Sequence, residues 1–195
     1  MHHKFPRKFM IICVAGLSGC GKNTVGTLVA KKLGMRVVNP TFKTIAEQEK
    51  ISLMQFHKKA EEDHSIDKKF DAALLRETAQ GNCVATTWLS PWIVKNATLR
   101  VWLYAPSEVR AGRVAKRDGM AVAEAQSHIS ERDGNNRKRY MDVYGIDISD
   151  HSGFDLLINT EKFSPEESAA IIVAAAKKTV NVKKPAKKKD KKKSR

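Results

Sequence analysis

The chain has 195 residues, 42% of them hydrophobic, which is enough for one ordinary globular core and too little for two large ones. Its formal charge is +15, but Lys177–Arg195 alone holds eleven basic residues and one acid, so the excess is concentrated in one segment. No apolar run approaches the roughly 18 residues of a bilayer span. Three cysteines without C-x-x-C spacing argue against a disulfide framework or a zinc site, and point to a reduced, cytoplasmic setting.

Residues 1–8 read as a basic extension, followed by the apolar stretch FMIICVAGL at 9–17. That stretch runs straight into a glycine-rich loop where a signal peptide would need a small-residue cleavage site, so a leader is not expected. Residues 9–15 are continuously apolar and β-prone, as suits a strand buried on both faces. Val25, Leu28, Val29 and Leu33 repeat at helical spacing, which predicts a helix over 22–33 closed by Gly34. A mostly helical stretch follows, with Ser52 and Gln55 placed as a capping-box pair and a second period over 65–81. Residues 83–87 and 98–105 read as strands. Ser107 is expected to cap a helix ending at Gly119, and a polar, arginine-rich helix should follow over 121–145. Residues 154–160 read as the last strand, and Ser164-Pro165-Glu166-Glu167 as a strong helix start. Alternating strands and helices predict an α/β fold, a mostly parallel sheet with helices on both faces.

Between the first strand and first helix lies GLSGCGKNT, residues 16–24. Gly16, Gly21 and Lys22 match the G-x-x-x-x-G-K of a phosphate-binding P-loop, but Asn23 stands where Ser or Thr is usual and the hydroxyl comes one place later, at Thr24. Backbone N–H groups from Gly16, Leu17, Ser18, Gly19, Cys20, Gly21, Lys22, Asn23 and Thr24 would curl around a nucleotide β-phosphate, and Lys22 would add a point charge on the β- and γ-oxygens. The order G-K-N-T is similar to the G-K-G-T of adenylate-kinase-type loops. Thr24 then caps the helix or reaches a metal through a neighbouring site, and Asn23 offers an amide oxygen towards magnesium.

From about Met10 to Ala176 the chain resembles the archaeal-type cytidylate kinases, small P-loop nucleoside monophosphate kinases. The resemblance rests on the loop and on LMQFHKKAEED, APSEVRAGRVAKRDG, RKRYMDVYGIDISD and LLINTEKFSPEE, in that order. It implies a five-stranded parallel sheet, an acceptor-side helical region at about 40–81, a helical lid at about 118–145, and a kinase domain over 9–178 ahead of a Lys-rich disordered tail at 179–195. It also implies ATP and magnesium as donor and CMP or dCMP as acceptor. Transfer between phosphates needs no general base, because the acceptor is already ionised, so positioning and charge spreading carry the catalysis. Arg110, Arg113 and Arg117 share a helix face by their spacing. Arg132, Arg137 and Arg139 fall in the lid-like segment, which would bring them over the phosphates. Lys22, Arg110, Arg113, Arg132 and Arg139 are thus expected to act in catalysis, and Lys43, Trp88 and Arg137 to bind the acceptor.

Two acceptor-side motifs depart from the family's pattern. Asn39-Pro40-Thr41-Phe42-Lys43 replaces a G-D-x-F-R-like segment, and Lys43 lacks the bidentate fork of arginine. Thr86-Thr87-Trp88 replaces an acidic-Gly-Arg motif, where Trp88 either stacks on a base or packs. His57 and His64 lie seven apart, without carboxylate spacing to support a metal site. A rival reading keeps the nucleotide site but uses the body and the tail to bind RNA or a ribosome-like assembly through phosphates.

Overall fold

The computed structural model describes residues 9–40 and 65–181. Lys43, His57, His64, the Ser52–Gln55 pair, the extension at 1–8 and the basic residues from Lys183 onwards lie outside the described residues.

In chain order the elements are β1 (Ile11–Gly16), α1 (Lys22–Leu33), β2 (Arg36–Val38), α2 (Ser65–Thr78), β3 (Cys83–Ala85), α3 (Ser90–Ile93), β4 (Leu99–Tyr104), α4 (Ser107–Asp118), α5 (Val122–Tyr144), β5 (Leu156–Asn159) and α6 (Pro165–Asn181). The five strands form one parallel sheet in the order β2-β3-β1-β4-β5, with β1 in the middle. All six residues of β1 are buried, as expected of a strand covered on both faces. Its side chains alternate between two cores. Ile12 and Val14 join Val25, Val29 and Ile172 under α1 and α6, while Ile11 and Cys13 join Leu74 of α2 and Val94 beside α3. The α/β fold with helices on both faces is therefore the one the alternation predicted.

Helix ends follow their local chemistry. Gly34, Gly119 and Gly145 each adopt a left-handed conformation after α1, α4 and α5. The residue after each donates its N–H back into the last turn, Met35 to Ala30 at 2.9 Å, Met120 to Ala115 at 3.2 Å and Ile146 to Tyr140 at 3.2 Å. At the start of α6, Ser164 and Glu167 form a reciprocal capping box, with the Ser164 N–H donating to the carboxylate at 2.8 Å and the Glu167 N–H to Ser164 Oγ at 3.3 Å.

Three boundaries differ from the sequence reading. Ser107 is the first residue of α4 and Pro106 occupies the cap, its carbonyl accepting from the Arg110 N–H at 3.1 Å. Ser107 Oγ instead accepts from Gln126 Nε2 at 2.6 Å and ties α4 to α5. The cap of α1 is Gly21, so Thr24 does not cap it. The strand read over 83–87 stops at Ala85, because the chain turns at Thr87, whose carbonyl accepts from Ser90 Oγ at 3.1 Å on the way into α3.

Candidate active site

The loop leaves β1 at Gly16 and enters α1 at Lys22, so the positive end of the α1 dipole faces the bend. Within it the Cys20 N–H donates to the Leu17 carbonyl at 3.2 Å. Glycine is required at two points. A Cβ on Gly16 would be driven into the Leu103 carbonyl of β4. Gly19 has φ +80° and lies against α4, where an added Cβ would stand 2.7 Å from the Arg110 carbonyl oxygen.

Lys22 points back over this bend. Its Nζ lies 3.5 Å from the Leu17 carbonyl and 5.0 Å from the centroid of the Trp88 ring. Burial brings the ammonium down from the ordinary lysine value of 10.5 to about 8; Arg132 and Arg117 push the same way, while Cys20 and Asp133 oppose them. The Cys20 thiol is buried in the loop, and burial pushes it up.

Two clefts flank the loop. The larger, of about 560 Å³, is lined by Ser18, Gly19, Lys22 and Asn23 of the loop and the start of α1, by Arg117, Arg132 and Arg139, and by Asp71, Trp88, Tyr140 and Tyr144. The smaller, of about 490 Å³, is lined by Cys20, Gly21, Asn23 and Thr24 together with Arg113, Thr160 and Phe163. Four cations therefore converge on one concavity at the end of the central strand, a site for a highly charged anion. No helix among the described residues is long and apolar enough to cross a membrane.

The expected site residues separate into two sets. Lys22, Asn23, Trp88, Arg132 and Arg139 are brought together in the larger cleft. Arg110 and Arg113 are on the expected face of α4, but that face packs on the protein. Arg110 is buried, donates to the Ser18 carbonyl at 2.9 Å and pairs with Asp133 at 2.7 Å. Arg113 donates to the Thr160 carbonyl at 2.5 Å and to the Gly19 carbonyl at 3.4 Å. Arg117 is exposed, pairs with its neighbour Asp118 at 2.5 Å and reaches both clefts. Arg137 is exposed and lines neither cleft.

Sequence reading missed Asp133, which holds the Ser18 N–H at 3.1 Å, and the Tyr144 hydroxyl, which donates to Asp71. The signal was present in the helical period. Ile129, Arg132, Asn136, Arg139 and Tyr140 form one stripe of α5 along the cleft, and Arg137 stands about 100° away from Asn136 on the helix.

The site suits a nucleotide and its magnesium in a limited way. The loop has the glycine positions a phosphate cradle needs, and Asn23 and Thr24 expose an amide and a hydroxyl on the first turn of α1. No group of three His, Cys, Asp or Glu among the described residues could hold a metal alone. The ion would be carried by the nucleotide phosphates, the usual arrangement for magnesium. The Thr86 and Thr87 side chains border the same cleft, and their buried hydroxyls have no hydrogen-bond partner among the described residues.

Known proteins agree with this geometry. A family model described as the cytidylate kinase-like family matches residues 11–162. A cytidylate kinase of Pyrococcus horikoshii is 44% identical over 163 residues, covering 83% of this chain and 85% of that protein. A cytidylate kinase of Sulfurisphaera tokodaii is 39% identical over 162 residues, covering 81% and 90%. Among solved structures, a shikimate kinase of Acinetobacter baumannii superposes with a TM-score of 0.60 at 20% identity, covering 88% of this chain and 94% of that one. That likeness speaks for the fold alone, a parallel sheet flanked by helices. With a family match across the sheet, the loop and α5, the chain belongs to the cytidylate kinase-like family.

Proposed function

We propose that this chain transfers the γ-phosphoryl group of ATP, bound with magnesium, to a nucleoside monophosphate, with CMP or dCMP as the acceptor. The observation that carries this reading is the convergence of Lys22 of the P-loop with Arg117, Arg132 and Arg139 on one cleft. The names of the relatives, cytidylate kinases at 39–44% identity, supply the acceptor class. The kinase domain corresponds to about residues 9–178, and α5 with its flanks forms the side that covers the phosphates. Three free, buried cysteines suit a cytoplasmic setting.

In this reading the loop amides bind the donor phosphates and Lys22 bridges them. Magnesium, when bound, neutralises phosphate charge and orients the in-line transfer. Asn23 and Thr24 would hold its coordination shell. Arg132 and Arg139 spread the charge that builds on the equatorial oxygens of the moving group, and Arg117 supports them from α4. Arg110 and Arg113 hold the loop carbonyls and so set the shape of the cradle. The aromatic wall, with Asp71, Trp88, Tyr140 and Tyr144, accommodates the acceptor. The RNA-binding rival rests on the body, on the departures at Thr86-Thr87-Trp88 and on the basic tail, whose residues from Lys183 onwards lie outside the described residues, and the cytidylate kinase relatives give it no support.

The test is ADP release from Mg-ATP by the purified chain with CMP, dCMP, UMP, AMP and GMP in turn. Turnover with CMP or dCMP above the others is expected. No turnover with any monophosphate, in a protein that binds ATP, would overturn the assignment.

A further inference from the structure

Lys22 has no carboxylate at hydrogen-bonding distance among the described residues. Its ammonium lies between the Leu17 carbonyl, at 3.5 Å, and the face of Trp88, 5.0 Å from the ring centroid. The indole is well held. It projects from the turn that ends β3, braced by the Ser90 bond to the Thr87 carbonyl, and it leans on Tyr140 with centroids 6.3 Å apart. Its neighbours Leu89, Tyr140 and Ile148 are buried. Trp92 packs on the same buried cluster, but its ring contacts are with Trp102 and Phe154, which also touch each other.

The geometry points to Trp88 as a positioning residue that fixes the Lys22 ammonium over the loop through its π face, in place of a counter-ion. The inference rests on the phosphotransferase reading above. Trp88 acts through Lys22 and need not touch the moving phosphoryl group. The groups that bear on Lys22 are Cys20 from the loop, Arg117 from α4, and Arg132 and Asp133 from α5. Two of them are cations of like charge, and partial burial of Lys22 beside them disfavours a protonated lysine. An indole face attracts a desolvated cation more strongly than any other aromatic ring and offsets part of that repulsion. A carboxylate would do so more strongly, but would also repel the phosphates. Trp88 keeps the lysine charged and aimed while leaving the cleft net positive.

The experiment compares wild type with Trp88→Leu, which fills the space without a π face, and Trp88→Phe, which keeps one. Calorimetry with Mg-ATP and with ADP is run from pH 6.5 to 9.5. Trp88→Leu should weaken binding about tenfold at pH 7.5 and move the pH at which affinity declines below the wild-type midpoint. Trp88→Phe should recover most of both. The part of the tryptophan emission that Trp88→Phe removes should change when wild type is saturated with Mg-ATP, as the phosphates draw the ammonium off the ring. Far-UV circular dichroism reports intact folding of each variant. Leucine matching wild type in affinity and midpoint, phenylalanine failing as badly as leucine, or an unresponsive Trp88 signal would each overturn the inference while leaving the kinase reading intact. A wild-type chain with no affinity for Mg-ATP would instead overturn the kinase reading, and the inference with it.

Discussion

Asp133 and Arg110 form a 2.7 Å ion pair with side chains only 13% and 9% exposed, and both hold the same loop residue. Arg110 donates to the Ser18 carbonyl at 2.9 Å, and the Ser18 N–H donates to Asp133 at 3.1 Å. Helices α4 and α5 are thereby fastened to the third residue of the phosphate loop. Removing one partner leaves a buried charge uncompensated, which commonly costs about 3–5 kcal/mol, whereas removing both is far milder. Asp133→Leu and Arg110→Met should each lower the urea-unfolding free energy by that order. The double variant should lose much less than the sum. Additive losses would show that the pair does not act as a unit.

Lys22 gives a second prediction, with a definite sign. Its folded-state pKa of about 8 lies below the unfolded value of 10.5, so folding releases protons between those values. Below about pH 8 the nucleotide-free fold bears the full penalty of a buried ammonium, and stability rises as pH climbs from about 8 to 10.5. The gain should be on the order of 2–3 kcal/mol. It should appear as the difference between wild type and Lys22→Met in denaturant titrations at pH 7 and pH 10. A difference that does not change with pH would remove the perturbed lysine.

Gly19 is squeezed against the backbone of Arg110. Gly19→Ala combines a left-handed φ of +80° with a Cβ 2.7 Å from a carbonyl oxygen, and backbone cannot step aside as a side chain can. Stability should fall by about 1–3 kcal/mol. Nucleotide affinity should fall further than stability alone requires, because the strain relaxes into the cradle. Calorimetry at a temperature where the variant remains folded separates the two.

The thiols test the core. Cys13, Cys20 and Cys83 are buried, and burial pushes Cys13 up to about 12 and raises the other two as well. The thiolate is the reactive form, so a disulfide reagent at pH 8 should label the native protein slowly and all three sites rapidly in denaturant. A fast-reacting Cys13 or Cys83 in the native state would mean that β1 or β3 is less protected than the sheet implies, and a fast Cys20 that the loop opens.

The segments legible in sequence were those whose shape is decided locally. Residues 22–33 form a helix closed by Gly34 because an apolar period and a left-handed glycine both lie inside one short stretch. The P-loop was legible for the same reason. What sequence could not show was which partner claims a charge. Three arginines at helical spacing on α4 look like one cationic face. In the fold the carbonyls of Ser18, Gly19 and Thr160 take Arg110 and Arg113, and of the three arginines Arg117 alone lines the larger cleft. Arg137 adjoins these residues in sequence, but a turn of about 100° per residue removes it from the stripe that carries Arg132 and Arg139. The Trp88–Lys22 contact joins residues 66 positions apart, and no local pattern encodes it.

Arg132 and Arg139 sit on one unbroken helix of 23 residues. Seven residues at 1.5 Å each set them about 10 Å apart along its axis. Its first half is packed on α4 through Ala125 and Ile129, and its second half on Leu89 and Ile148 through Tyr140. A rod held at both ends works as a ruler: however it tilts over the cleft, the spacing of its two charges does not stretch. The enzyme would then discriminate by length, favouring a row of phosphates that meets both marks at once. One alanine inserted after Asn136 would leave Asp133 in register with Arg110 and Ser18, lengthen the ruler by about 1.5 Å and swing Arg139 about 100° off the cleft, abolishing transfer while the loop still binds ATP.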